Sequence, residues 1–227
     1  TSRMGGCRSA APALGSSRTQ IGPGMAGFRS QPMTTLEIHG EDPTALAALS
    51  LALERELALL GADRRPVAVA CIGTDRSTGD ALGPLVGQRL RRLGLPSSAV
   101  IGTLEAPLHA LNLAERLLPR HREDPRPLIV AVDAALGPLA GVGTIALRRG
   151  GLTPGAGVGK ALPQVGELAV TATVNVQAGA LHAQVLQSTR LYLVQTLSET
   201  IATAIWWALR SVRRQAGAAG VAAAGAA

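Results

Sequence analysis

Two runs, Val67–Ile72 (VAVACI) and Leu128–Val132 (LIVAV), are short, apolar at every position and rich in β-branched side chains. A strand with one wet face alternates polar and apolar residues, so an unbroken run of this length asks for burial on both faces. That requirement puts helices on both sides of a central sheet, and the segments around the two runs supply them. Asp42 and Pro43 open a helix that continues to Gly61, with a side-chain oxygen for the orphan amides and a proline in the first turn. Further helical patterns run from Asp80 to Leu93, ended by Gly94, from about Pro107 to Leu118, and, with one break, from about Gly179 to Arg214. Shorter strand signals lie at Ala99–Thr103 and Val142–Leu147, and Leu168–Val176 (LAVTATVNV) alternates as the last strand. Strands alternating with helices in this way predict an α/β fold, a three-layer α/β/α sandwich with a mostly parallel central sheet, formed by residues 36–214 as one domain.

Outside that span the composition changes. Residues 1–35 are rich in Gly, Ser, Pro and Ala and read as a disordered basic leader, and residues 215–227 read as a disordered, low-complexity tail. The whole chain carries 22 basic and 15 acidic residues, a net charge of +7. The leader holds four arginines and no acid, and Arg210, Arg213 and Arg214 add three more without an acid after them, so Leu36 to Leu209 balances 15 bases against 15 acids. A neutral body argues against a specific nucleic-acid partner. The longest apolar helical stretch, Leu191–Val212, contains Glu199 and Arg210, so no membrane span is expected. Two cysteines, Cys7 and Cys71, make no disulfide framework and point to a reducing cytoplasm. Of the adjacent Trp206 and Trp207, one must face away from the core, so the pair is expected to dock the last helix or a second copy of the chain in a homo-oligomer.

In parallel sheets, ligands and reactive groups gather beyond the carboxyl ends of the strands. Two strand ends here carry aspartates: the loop Gly73–Pro84 (GTDRSTGDALGP) holds Asp75 and Asp80, and the second apolar run closes on Asp133. Asp80 and Asp133 brought to one rim could divide acid and base roles between them, or together hold a divalent cation. Each also has a plainer role open to it, Asp80 as a helix N-cap and Asp133 as a turn residue bonded to backbone amides.

Other candidates are weaker. Gly151–Lys160 (GLTPGAGVGK) ends in the one lysine of the chain and is either a surface loop or a lid in which Lys160 serves as a charge partner. Glu105 and His109 stand four residues apart in an expected helix and could give a metal ligand or proton shuttle. The remaining histidines have no ligand spacing, and a zinc framework is missing.

The segments Cys71–Gly87 (CIGTDRSTGDALGPLVG), Gly102–Leu113 (GTLEAPLHALNL), Ala131–Gly137 (AVDAALG), Leu152–Pro163 (LTPGAGVGKALP), Val174–Val176 (VNV) and Leu186–Leu191 (LQSTRL) resemble, in that order, the YyaC-type sporulation proteins of spore-forming bacteria. The resemblance extends from about Val67 to Ala204. That family is similar to the germination protease and, more distantly, to the hydrogenase-maturation endopeptidases, which implies a hydrogenase maturation protease-like, phosphorylase/hydrolase-like fold. Thr78–Pro84 (TGDALGP) and Val132–Leu136 (VDAAL) match the germination protease segments that hold its catalytic pair, so the resemblance assigns catalysis to Asp80 and Asp133. It leaves Thr74, Asp75, Thr78, Glu105, His109, Lys160 and Asn175 in supporting or substrate-binding positions. It further implies a protein or peptide substrate, small acid-soluble spore proteins among them, in the cytoplasm of the sporulating cell or forespore. The maturation endopeptidases add a downstream histidine to bind metal, and residues 150–176 contain none. A non-catalytic sporulation factor using the same pocket for a ligand, metal or protein partner is the other reading.

Overall fold

The computed structural model describes residues 33–154 and 164–224; Lys160 and the leader up to Pro32 lie outside them. The expected α/β sandwich is what forms. Six strands, β1 (Met33–His39), β2 (Val67–Cys71), β3 (Val100–Ile101), β4 (Leu128–Gly137), β5 (Thr144–Arg149) and β6 (Leu168–Val176), make one sheet in the order β1-β5-β6-β4-β2-β3. The four strands β3, β2, β4 and β6 run parallel, while β5 and β1 add an antiparallel edge.

Helices α1 (Ala45–Leu59), α2 (Leu82–Arg92) and α5 (Leu191–Ala224) pack on one face, and α3 (Leu113–His121) on the other; the short α4 (His182–Gln187) sits at the rim. The pleat divides the central strands between the two layers. Val67, Val69, Leu128, Val130 and Val132 face the larger cluster, whereas Ala68, Ala70, Ile129 and Ala131 face α3. On α1, Leu49, Leu53 and Leu57 recur every fourth residue and are fully buried against that larger cluster. Burial of each such side chain stabilises the fold by about 1.5–3 kcal/mol.

Five sequence expectations are corrected. β1 was not foreseen: it is an edge strand in which Leu36 and Ile38 are partly buried between exposed neighbours, so its alternation is too short to stand out. β5 lies two residues beyond the expected Val142–Leu147, ending on two arginines whose charged heads reach Glu37 and Glu56. α3 begins at Leu113 rather than Pro107, because Leu108 forms a parallel bridge with Ile72 and the chain turns at His109–Asn112 before the helix. α1 begins at Ala45; Asp42 still organises the start, its Oδ1 accepting from the Thr44 amide at 2.7 Å and the Thr44 hydroxyl at 2.6 Å. α5 continues to Ala224, so residues 215–224 extend the helix instead of starting a disordered tail, as their alanine content favours. The helical region does break once, at Ser188–Arg190. Trp206 donates Nε1–H to Leu93 O at 2.9 Å while Trp207 stays 46% exposed. Among the described residues no helix is long and apolar enough to cross a membrane.

Glu56 is buried on α1, and Arg149 at the end of β5 reaches it with Nε at 2.7 Å and Nη2 at 2.6 Å from Oε2. Arg149→Met would strand that carboxylate. A loss of about 3 kcal/mol in urea unfolding is expected, and a change within about 0.5 kcal/mol, the scale of an ordinary surface substitution, would contradict it.

Candidate functional site

The chain order puts a topological switch point between β2 and β4. After β2 the chain leaves toward β3, and after β4 it leaves toward β5 and β6, so the connections diverge on either side of the gap between the two strands. Such a switch point leaves open space beyond the carboxyl ends. Parallel pairing aligns Cys71 with Val132, and the Ile72 amide donates to Val132 O at 2.8 Å, which sets Gly73 and the loop behind it beside Asp133.

Gly73 fixes how that loop leaves the strand. Its φ is +140°, its amide donates to Leu108 O at 2.8 Å, and a β-carbon there would fall 2.0 Å from Asp80 O. The Thr74 amide in turn donates to Asp80 O at 3.1 Å, closing the loop on itself. Asp80 lies inside a 3-10 turn, Gly79–Ala81, and α2 starts after it with Ala81 at the cap position and no side-chain cap bond. The capping role is thereby corrected: the Asp80 carboxylate is not spent on the helix.

Asp133 follows Ile129 and Ala131 on the α3 side of β4, and its Oδ1 accepts from the Ala134 amide at 2.9 Å. Burial pushes the Asp133 carboxyl well above the usual carboxylate range, the charge of Asp80 pushes it further, and the Ala134 amide pulls part of the way back. Asp80 is also raised by burial, with the Thr74 amide and the charge of His109 acting against the rise. Burial and the charge of Asp80 thus act together to favour the protonated form of Asp133.

A carboxyl raised by folding costs nothing below its ordinary value of 3.8, costs progressively more as pH climbs from there toward its folded value, and levels off above that. Asp133→Asn should therefore raise the Tm at neutral pH, with each kcal/mol appearing as about 2–4 °C. The gain should vanish as pH falls to the ordinary carboxylate range; a Tm difference independent of pH would count against the raised carboxyl.

The other candidates separate. His109 sits in the turn beside Gly73 and acts on Asp80 through its charge, while its amide donates to Asn112 Oδ1 at 2.9 Å. Glu105 is exposed in the Thr103–Ala106 turn and shares no helix with His109. Asp75 is exposed, Thr74 Oγ1 accepts from the Arg76 amide at 3.3 Å, and Thr78 O accepts from the Ala81 amide. Asn175 is committed to the scaffold: Nδ2 donates to Val185 O at 3.0 Å and Thr189 Oγ1 at 3.1 Å, tying β6 to α4. The flanks of the Lys160 segment, Leu152 and Val165, pair with each other, and Glu167 donates its amide to Ile129 O, near the start of β4.

Two positions escaped the sequence reading. Ser77 Oγ is buried in the acidic loop without a hydrogen-bond partner among the described residues. Thr189 is buried against Gly79, so α4 backs the turn that carries Asp80; the TGD triplet marks that turn but no local pattern marks its support. Among the described residues no three His, Cys, Asp or Glu side chains form a metal-holding group, so the donor set does not fit the three-ligand metal site of the resemblance.

The family model described as "Protein of unknown function (DUF1256)" matches residues 37–204. A Bacillus subtilis (strain 168) protein described as "Uncharacterized protein YyaC" is 44% identical over 151 residues, 66% of this chain and 73% of that one. Among solved structures the chain is similar to the [NiFe] hydrogenase maturation protease HycI from Thermococcus kodakarensis KOD1, at 17% identity and a TM-score of 0.42, over 68% of this chain and 98% of that one. At that TM-score the likeness adds nothing to the fold, which the strand order defines.

Proposed function

The chain belongs to the DUF1256 family and is a relative of YyaC, and we propose that it is a germination protease-like endopeptidase that hydrolyses peptide bonds with Asp80 and Asp133. The observation that carries this reading is a pair of part-buried carboxyls at the β2/β4 switch point, Asp80 in the turn that leads into α2 and Asp133 within β4, near enough that the charge of Asp80 raises Asp133. With the proton on Asp133, ionised Asp80 takes a proton from a water poised against the peptide carbonyl. Asp133 donates to the carbonyl oxygen as the tetrahedral intermediate forms, and the proton on Asp80 passes to the leaving amine. As the C–N bond breaks, the gem-diol hydroxyl returns its proton to Asp133 and the new carboxyl group forms, so the cycle ends as it began, with Asp80 ionised and Asp133 protonated. The Ser77 hydroxyl, buried without a partner, suits a hydrogen bond to the substrate backbone. No step runs through a metal.

The proposed substrates are small acid-soluble spore proteins, and the proposed setting is the cytoplasm of the sporulating cell or forespore. Incubation of the purified chain with these proteins, read by mass spectrometry, should give discrete fragments, and cleavage should persist in chelator. Intact substrate, with or without added Ni²⁺ or Zn²⁺, would leave the pocket to a binding role.

A further inference from the structure

At the amino ends of the strands, away from the aspartate pair, α5 passes beside the start of β2. There Leu209, Val212 and Arg213 face the Ala62–Val67 segment across a cavity of about 220 Å³. A second cavity, of about 140 Å³, shares Leu209 and Arg213 with the first and continues to Trp206, Arg210 and the Leu93–Pro96 turn. Arg64, Arg65, Arg210 and Arg213 are among the residues lining these two neighbouring cavities, and Asp63 is the one acid among the lining residues.

Two of the four are held in place. Arg65 donates Nε–H to Arg126 O at 3.0 Å and Nη2–H to Pro127 O and Glu167 Oε1, both at 3.3 Å. Arg210 lies 4.7 Å above the Trp206 ring, which is itself fixed by its bond to Leu93 O. The other two have donors to spare: Arg64 meets only the exposed Asp63, at 3.4 Å, and Arg213 has no acidic partner among the described residues. Glu54, the acid next to this part of α5, is occupied by Ser211 and Gln215 at 2.7 Å each.

The residues from Leu36 to Leu209 are electrically neutral as a whole, so this concentration of charge is local and arises because the fold brings Arg210 and Arg213 to the Arg64–Arg65 pair. Like charges around a concave wall oppose one another and focus a field that draws anions. Guanidinium forks match phosphate oxygens two at a time, and each additional fork adds geometric selection as well as attraction. We infer that this concavity binds a diphosphate group, separate from the Asp80–Asp133 site and independent of any hydrolysis there. Four arginines across two neighbouring cavities suit two phosphates better than one.

Isothermal titration of the full chain with inorganic pyrophosphate, and separately with ADP, at fixed ionic strength tests this. Saturable binding is expected, weakened about tenfold or more by Arg64→Gln or Arg213→Gln. Both arginines are exposed, and unchanged circular dichroism would show the variants folded. Arg116→Gln, on α3 across the sheet, should leave the affinity unchanged. Tighter binding of ADP would identify a nucleotide as the source of the diphosphate, and tighter binding of pyrophosphate the free ion. No heat for either probe at millimolar concentration, or an equal loss in Arg116→Gln, would overturn the assignment.

Discussion

Gly83→Ala should destabilise the chain by about 3 kcal/mol or more, in a domain whose whole stability is of the order of 5–15 kcal/mol. Gly83 is the second residue of α2, where alanine in place of glycine would ordinarily gain about 1 kcal/mol of helix propensity. Here the added methyl would stand 2.0 Å from Ile72 O and 2.7 Å from Ile72 C and N. Those are backbone atoms at the end of β2, so no side chain can swing aside. One turn later Gly87 repeats the contact, with a β-carbon only 1.9 Å from Gly102 O. The two glycines let α2 lie directly on the ends of β2 and β3, and through that contact hold the loop that carries Asp80. Gly217→Ala is the internal control: nothing lies within 4 Å, and a gain of about 1 kcal/mol from propensity alone is expected. Chemical unfolding of both variants decides the matter, and a stabilised Gly83→Ala would mean that α2 is not seated as described.

Asp80→Asn and Asp133→Asn should each lower the rate of peptide hydrolysis by about a hundredfold to ten-thousandfold, the range of a lost general acid or base. Neither change opens a void, so both variants should fold. Their pH behaviour should differ from the wild type in a defined sense. Activity needs Asp80 ionised and Asp133 protonated, so it is lost in acid as Asp80 takes up a proton and lost in base as Asp133 releases one. Burial raises both carboxyls, and Asp133 the more, so the optimum sits above the range of ordinary aspartates. A rate profile with its optimum inside that ordinary range would place the chemistry on other groups.

The buried strands were legible because no other local structure explains an unbroken apolar run bounded by Pro66 and Gly73. The same runs located the carboxyl-end rim, and Asp133 closing one run and Asp80 in the loop after the other marked the candidate pair. What was hidden depended on tertiary contact. Leu108 and His109 keep a helical apolar rhythm, yet the bridge from Leu108 to Ile72 straightens the chain there; His109 reaches Asp80 from a turn, and Glu105 does not share its face. Asn175 entered as a site candidate through the resemblance and is instead committed to holding α4, because a part-buried amide near the end of a strand must find partners. The charge count grouped Arg210 and Arg213 as an acid-free basic end, since a sum over the sequence cannot see the last helix carrying them back to Arg64.

The most direct measurement is cleavage of a small acid-soluble spore protein in H₂¹⁸O by the wild type, Asp80→Asn and Asp133→Asn side by side, with the fragments weighed by mass spectrometry. Direct attack of water puts one ¹⁸O into each new carboxyl terminus, so the expected result is labelled fragments from the wild type and intact substrate from both folded variants. Intact substrate from the wild type, or labelled fragments at the same rate from either variant, would contradict an aspartate-pair endopeptidase.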